Sequence, residues 1–360
     1  MDSDRIPFLR QSIDRIDRDI LDLINRRLQY AKEIGGLKAD RGAHVLDPAR
    51  ESTVIRRLMD LNQGPLSQTA LHHIYREIIA AAREVQQPLR IAYLGPEATF
   101  TYIAAMNHFG HSATFLSQPS IRDVFREVEK GGSQFGVVPV ENSIEGAVNH
   151  TLDLFFESKL QICAEIYHSI SHDLLTKCPT LDAIKTVYSH PHAFGQCRSW
   201  MRRHLPACRK IECSSTAEAA KKAAQYPLSA AIASREAAHM YELDVLGEHI
   251  EDFAHNVTRF LVIGPGESRP TGRDKTSIMF ATTHVPGALH HALKPLADHG
   301  INMVKLESRP SKHENWSYFF FVDIDGHLDD PPLAKAIELM QDHCLYLKIL
   351  GSYPQTHSQE

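Results

Sequence analysis

The feature that most limits what this chain can become is the run from Phe8 to Ile34, which contains neither Gly nor Pro. Apolar residues fall along it at Ile13, Ile16, Ile20, Leu23, Ile24, Leu28, Ala31 and Ile34. That spacing is helical and is sustained for about seven turns. Gly35-Gly36 is expected to loosen the end of this helix. Asp47-Pro48 reads as an N-cap followed by a first-turn proline, opening a second helix through Leu61. Asn62-Gln63-Gly64-Pro65 breaks it, Ser67 caps a third helix running toward Gln86, and Pro88 stops that one. A rod this long in a module of three helices cannot cover its own apolar stripe, so it invites a partner chain.

The polar groups on these helices sharpen the point. Arg27 and Lys38 share a face about 16 Å apart along the axis, so their long side chains can grip one small dianion. Arg10 lies about 26 Å from Arg27 and roughly 100° round the helix, out of reach of that pocket except from the partner in an antiparallel pair. Asp47 and Glu51 are one turn apart and can both accept from a substrate hydroxyl, with Arg50 beside them. Ile78, Ala82 and Gln86 line one face of the third helix, and Gln86 can donate to an ether oxygen.

From Leu9-Arg10 to Gln86 these residues resemble the all-helical chorismate mutase family. The resemblance implies a pericyclic rearrangement of chorismate to prephenate, with no covalent intermediate. Catalysis is confinement of a chair-like conformer plus charge stabilisation as the ether bond breaks. It further implies that Arg27 and the partner's Arg10 bind the two carboxylates. Lys38 and Gln86 would face the ether oxygen, Glu51 and Asp47 the ring hydroxyl, and Arg50 would complete the cationic wall. Ala82 departs from the family, which can place a Ser hydroxyl there; the change removes no charge. The competing reading is a coiled-coil dimerisation arm with solvated charges.

At 360 residues, with 43% hydrophobic and 23% charged content, the chain has room for two or three globular domains. A net charge of −5 and the lack of any Lys/Arg-rich run argue against a nucleic-acid partner. The N-terminus is charged with no apolar stretch behind it, and the run around Tyr318 to Val322 is far too short to span a bilayer. Cysteines 163, 178, 197, 208, 213 and 344 show no C-x-x-C pair and no metal spacing, and read as reduced cytosolic thiols. Although there are 22 histidines, His72-His73 and His290-His291 fall on helical patterns and read as surface or core. The expectation is a cytoplasmic protein without metal or cofactor.

Beyond Pro88, strands and helices alternate. Leu89 to Leu94 is a strand, turned into a helix by Gly95-Pro96-Glu97-Ala98-Thr99-Phe100-Thr101, whose free N–H groups suit an anion. Phe135 to Val140 is another strand, with Glu141-Asn142-Ser143 at its C-terminal end, where α/β sheets bind ligands. Val187 to Pro191 precedes a helix carrying Gln196, and Asn256-Val257-Thr258-Arg259-Phe260 opens a late strand closed by Gly264-Pro265-Gly266. On a strand, Thr258 and Arg259 point to opposite faces. The fingerprints of dinucleotide and phosphate-loop binding are both absent.

Four segments, Gly95 to Phe100, Val138 to Ser143, Ser189-His190-Pro191 with Gln196-Cys197, and Asn256 to Phe260, together resemble prephenate dehydratase. The resemblance implies two α/β lobes, periplasmic-binding-protein-like, with the site in the cleft. It implies loss of the ring hydroxyl and carbon dioxide together, driven by aromatisation. Thr258 would donate a hydrogen bond to the departing hydroxyl. Asn142, Ser189 and Gln196 would orient the substrate, and Thr99 would help bind it. Glu141 would sit in the same polar wall, and Arg259 would meet a carboxylate or fix the cleft. His190 is a second acid candidate or a prop for the Ser189 loop. Ala98 stands where this family usually has Gly.

The last module reads as βαββαβ, the ferredoxin-like pattern: strand 276–283, a helix from Gly287-Ala288-Leu289 to His299, strands 301–306 and 316–325, a helix after Pro331-Pro332, and a strand at 345–350. It resembles an ACT regulatory domain. The resemblance implies phenylalanine bound by Gly287, Ala288, Leu289, Asn302 and the Glu307-Ser308-Arg309-Pro310 segment, between two such domains. His290 departs from the aliphatic residue commoner there. The organisation expected is therefore an all-α mutase module at 1–87, a bilobal α/β dehydratase module at 89–268 and an α+β ACT domain at 274–360. That is a bifunctional, phenylalanine-inhibited enzyme of phenylalanine biosynthesis, working as a homodimer or higher oligomer. The rivals are a dehydratase acting on arogenate and a catalytically silent phenylalanine sensor.

Overall fold

In a computed structural model of the chain, residues 5–39, 48–266, 268–310 and 318–356 are described. Asp47, one of the expected mutase residues, lies outside them. The chain divides into two compact units, residues 1–89 with 109–114, and residues 90–108 with 115–360.

The first unit is built on three helices, α1 (Arg5–Ala39), α2 (Pro48–Leu61) and α3 (Gln68–Glu84). Ser67 caps α3, its hydroxyl accepting from the Ala70 N–H at 3.1 Å. Helix α1 does not loosen at Gly35-Gly36 but runs straight through them. A Cβ on Gly35 would lie 2.8 Å from Gln86 Cγ and 2.9 Å from Gln86 Cα. The glycine is there for close packing of α1 on the end of α3, not for termination. Leu71, Ile79, Ala80 and Ala82 of α3 are buried. Most of the α1 stripe is not: Phe8, Ile13, Ile16, Ile20, Leu23 and Ile34 are between 48% and 66% exposed. Nothing in one copy of the described chain covers that face.

The second unit holds three sheets. The first has strand order Thr114–Gln118, Arg90–Leu94, Phe135–Asn142, Val257–Gly264, Gln161–Ser169, with the short Gly146–Ala147 beside Phe135–Asn142. The second runs Asp244–Gly247, Asp173–Thr176, Ser229–Ala233, Thr186–Ser189, Arg209–Glu212. The chain thus leaves the first sheet after Ser169, builds the second, and returns as Val257–Gly264. Where the two crossing segments meet, the Ile170 N–H donates to Asn256 O at 2.7 Å. The third sheet runs Met303–Pro310, Tyr318–Asp325, Asp274–Ala281, Tyr346–Pro354, and with helices Ala288–Asp298 and Pro331–Gln341 it gives the expected βαββαβ order.

The returning strand pairs antiparallel on both sides, setting Thr258 opposite Asn142 and His168, and Arg259 opposite Glu141 and Tyr167. Successive side chains on a strand face opposite ways. Thr258 and Asn142 therefore face the cleft between the first two sheets, while Arg259 faces the third. There it is 6% exposed and donates to Glu165, Asp323 and the Tyr353 hydroxyl, the Glu165 and Tyr353 contacts being 2.9 Å each. Lys275 Nζ donates to both Glu165 oxygens at 2.9 Å, and Ser277 to Asp323. Burial opposes the Arg259 charge, but the Tyr353 phenol and the Asp323 and Glu165 carboxylates outweigh it and push its pKa further up. Burial likewise pushes Asp323 up, and Arg259 with Ser277 more than reverses this. Two cations against two carboxylates leave the cluster neutral, the condition under which buried charges are tolerated.

Candidate active site

The second unit carries a cleft of about 990 Å³, the size of an ordinary small-molecule site. Its walls include Thr99, Phe100, Asn142, Glu145, His172, His190, His192, Gln196, Ser215, Thr216, Thr258 and Phe260. Among the described residues that line it there is no Lys or Arg. What it offers an anion instead is helix N-termini, those of Phe100–Phe109 and Thr216–Gln225, and side-chain amides.

At the centre is a chain of oriented amides. Asn142 Oδ1 accepts from the N–H groups of Ile144 and Glu145, both at 3.0 Å, which fixes the amide and leaves Nδ2 to donate. Nδ2 donates to Thr258 Oγ1 at 2.9 Å and to Asn256 Oδ1 at 2.7 Å. Asn256 Nδ2 in turn donates to Gln196 Oε1 at 2.9 Å. Thr258 Oγ1 is thus an acceptor toward Asn142, and among the described residues no acceptor takes its own hydrogen. That hydrogen is available to the cleft. An oxygen already accepting is also a better donor, because hydrogen bonds in series polarise one another.

The other expected dehydratase residues divide. Thr99 is on the wall, but its hydroxyl donates to the Leu94 and Pro96 carbonyls and serves the turn. Ser189 is fully buried and donates to Ile232 O at 2.8 Å, so its role is to hold the loop, not the substrate. Glu141 is not in the cleft wall. One residue before Asn142, it points to the other face, where Lys305 Nζ meets it at 2.7 Å. Arg259 shares that face and binds the protein's own carboxylates. His190 caps the Pro191–Gln196 helix, its Nδ1 accepting from the His192 N–H. Burial first, and His192 second, lower its pKa, so it is a poor acid at neutral pH. Two residues have no role legible in the sequence: Asn256, which reads as opening the strand, and His172, which lies among Ser169, Ser171 and Asp173 with no motif to mark it. Ala98 takes φ 62°, the left-handed region its family's usual Gly occupies freely.

In the helical unit, Arg27 Nη1 donates to Ile78 O at 3.4 Å, and Gln86 Nε2 to Ala82 O at 2.9 Å. Gln86 Oε1 is buried without a partner, an acceptor where an ether oxygen requires a donor. Arg83, 4% exposed, lies beside the expected site with Nε 3.6 Å from Glu51 and was not anticipated. Lys38 is half-buried, whereas Arg10 and Arg50 are exposed.

In the third sheet's domain, Gly287 has φ +83° and opens the helix Ala288–Asp298. The Ala288 and Leu289 side chains sit on its first turn. Asn302 donates to Asp325 at 2.8 Å, and Met303–Pro310 is an edge strand bearing Glu307, Ser308, Arg309 and Pro310. Arg309 donates to Asp153 at 3.1 Å, tying that edge to the dehydratase lobe.

Comparison with known proteins identifies each of the three modules. Family models match in order as chorismate mutase type II over residues 9–87, prephenate dehydratase over 91–268, and ACT domain over 276–338. A bifunctional chorismate mutase/prephenate dehydratase of Aquifex aeolicus is 46% identical over 356 residues, covering 98% of each chain. Among solved structures, a prephenate dehydratase from Arthrobacter aurescens in complex with L-Phe is similar with TM-score 0.69 and 34% identity, over 75% of this chain and 91% of that one. GqqA, described as a novel type of quorum quenching acylase, is similar with TM-score 0.68 and 28% identity, over 74% of this chain and 98% of the other. A helical module, a cleft with Thr258 on its wall and an ACT domain occur here in one chain, which belongs to the bifunctional chorismate mutase/prephenate dehydratase family.

Proposed function

We propose that dehydration in the cleft turns on the Thr258 hydroxyl, held as a donor by Asn142. The observation that carries this is the 2.9 Å bond from Asn142 Nδ2 to Thr258 Oγ1, together with the backbone bonds that fix the amide. Prephenate needs little: as carbon dioxide leaves, its bonding pair moves into the ring and expels the hydroxyl, so the site must polarise that one oxygen. A neutral hydroxyl aimed at the departing oxygen does so without itself ionising. The carboxylates are met by the helix N-termini and the Gln196 amide, since Arg259 is committed behind the strand. The same geometry disfavours an acyl-transfer role like that named for GqqA. A hydroxyl nucleophile requires a base to take its proton, and Asn142 offers Thr258 an N–H.

Chorismate rearrangement belongs to the helical unit, and its pocket is completed by a second copy. Arg27, Lys38, Arg50 and Glu51 of one subunit would act with Arg10 of the partner subunit, Asp47 joining Glu51 at the ring hydroxyl, and Gln86 would have to turn its amide so that Nε2 leaves Ala82 O and donates to the ether oxygen. The uncovered apolar face of α1 supports this pairing, because an antiparallel copy buries the stripe and delivers the missing cation. Phenylalanine is the effector of the ACT domain, held at Gly287, where a positive φ allows backbone close to an amino-acid carboxylate, and along Asn302 and the Glu307–Pro310 edge.

Three outcomes follow. Thr258→Ala removes phenylpyruvate formation while mutase turnover stays near wild type; normal dehydration in that variant removes Thr258 from the mechanism. Arg10→Ala and Arg27→Ala each abolish mutase activity alone, and mixing them after subunit exchange restores about a quarter of it, as expected when a mixed dimer keeps one intact pocket of two. No recovery, or a monomer that converts chorismate, rules out the shared pocket. Millimolar phenylalanine lowers the dehydratase rate and raises the thermal midpoint; an unchanged rate and midpoint would remove the regulatory role.

A further inference from the structure

We infer that His172 is a positioning residue for dehydration, acting through Gln196. It is 3% exposed on the cleft wall, with its Nε2 2.8 Å from Gln196 Oε1 and its ring edge-on to Phe100 at 5.5 Å between centroids. The inference rests on the dehydratase reading of the cleft and adds to it a residue that makes one substrate-facing amide present its donor.

The hydrogen bonds of the cleft wall run in series from one fixed end. Backbone N–H groups lock Asn142, so Asn256 must accept with Oδ1 and donate with Nδ2. Gln196 must then accept with Oε1. The His172 ring nitrogen facing the same oxygen must carry its proton, because two lone-pair atoms do not attract. His172 is therefore the Nε2–H tautomer. Its other nitrogen, Nδ1, is buried without a partner, and burial lowers the ring's pKa, which keeps it neutral.

The consequence falls on Gln196. Its oxygen is held by two donors, His172 and Asn256, so the amide cannot turn over without breaking both bonds. Its Nε2 has only a long 3.5 Å contact to Glu145 and stays directed toward the cleft as a donor. With no Lys or Arg on the walls, a correctly turned amide is one of few means of holding a carboxylate. Losing His172 leaves the amide on one tether, free to present oxygen to an anion, which repels it.

The test is steady-state dehydration by the full chain, with mutase turnover and thermal midpoint recorded alongside. His172→Phe keeps the packing against Phe100 and removes the donor; His172→Gln places an amide N–H near the position of Nε2. We expect His172→Phe to lose about tenfold to a hundredfold in dehydratase kcat/KM, as for a buried hydrogen bond, with His172→Gln recovering most of it. In a Gln196→Met background the His172→Phe change should cost less than about twofold, since its target is gone. A wild-type-like His172→Phe, a His172→Gln no better than His172→Phe, or an equal loss in the Gln196→Met background would each overturn the assignment. Nitrogen chemical shifts of histidine-labelled wild-type protein, assigned by difference from His172→Gln, need no active variant. They should show the Nε2–H tautomer, and an Nδ1–H signature overturns the proposal. Absence of phenylpyruvate from wild-type enzyme would instead count against the dehydratase reading itself.

Discussion

The alternation of side chains along one returning strand governs the dehydratase half of this molecule. Thr258 and Arg259 are neighbours in sequence and act on opposite sides of a sheet. One face presents a hydroxyl to the cleft, and the other anchors the strand in a buried, neutral cluster shared with the ACT sheet. The cluster is costly to break, because removing one member leaves a desolvated charge, typically about 3–5 kcal/mol. Its effect is to fix the strand that carries Thr258. The same alternation takes Glu141 away from Asn142 and toward Lys305 on the ACT edge strand. The cleft and the ACT sheet therefore lie on opposite faces of a single sheet.

Among the described residues the cleft walls carry no Lys or Arg with which to meet a dianionic substrate. Helix N-termini and locked amides distribute partial positive charge where a lone guanidinium would concentrate it. Such dipoles need no reorganisation as charge moves from carboxylate to departing oxygen, which is what electrostatic preorganisation requires. The mutase unit solves the opposite problem. In the proposed pocket the substrate charge is met by Arg and Lys side chains, and because α1 is one long helix Arg10 lies out of reach of the Arg27 and Lys38 face within one subunit.

The sequence carried the architecture well. Helical period in α1, the Ser67 cap, the strand–helix alternation after Pro88 and the final βαββαβ order all appear in the structure. It misled where residue type did not reveal direction. Gly35-Gly36 reads as loosening the helix end, yet the helix continues through it, and the missing Cβ at Gly35 leaves room for Gln86. Arg259 reads either as a carboxylate ligand or as a brace for the cleft, and its contacts with Glu165 and Asp323 fit the brace. Ser189 reads as a binding hydroxyl, but Ile232 O takes its hydrogen bond. The roles of His172, Asn256 and Arg83 were not legible because each makes contacts distant in sequence, which no local pattern encodes.

The account depends most on the direction of one hydrogen bond, from the Asn142 amide to the Thr258 oxygen. The measurement that tests it most directly is dehydratase turnover of Asn142→Asp at neutral pH. The carboxylate is nearly the same shape, yet it can only accept, so it draws the Thr258 hydrogen away from the substrate. The account predicts a loss in kcat of about a hundredfold or more, the scale for a misdirected oxyanion donor, with mutase turnover unchanged. Turnover of prephenate near the wild-type rate would contradict it.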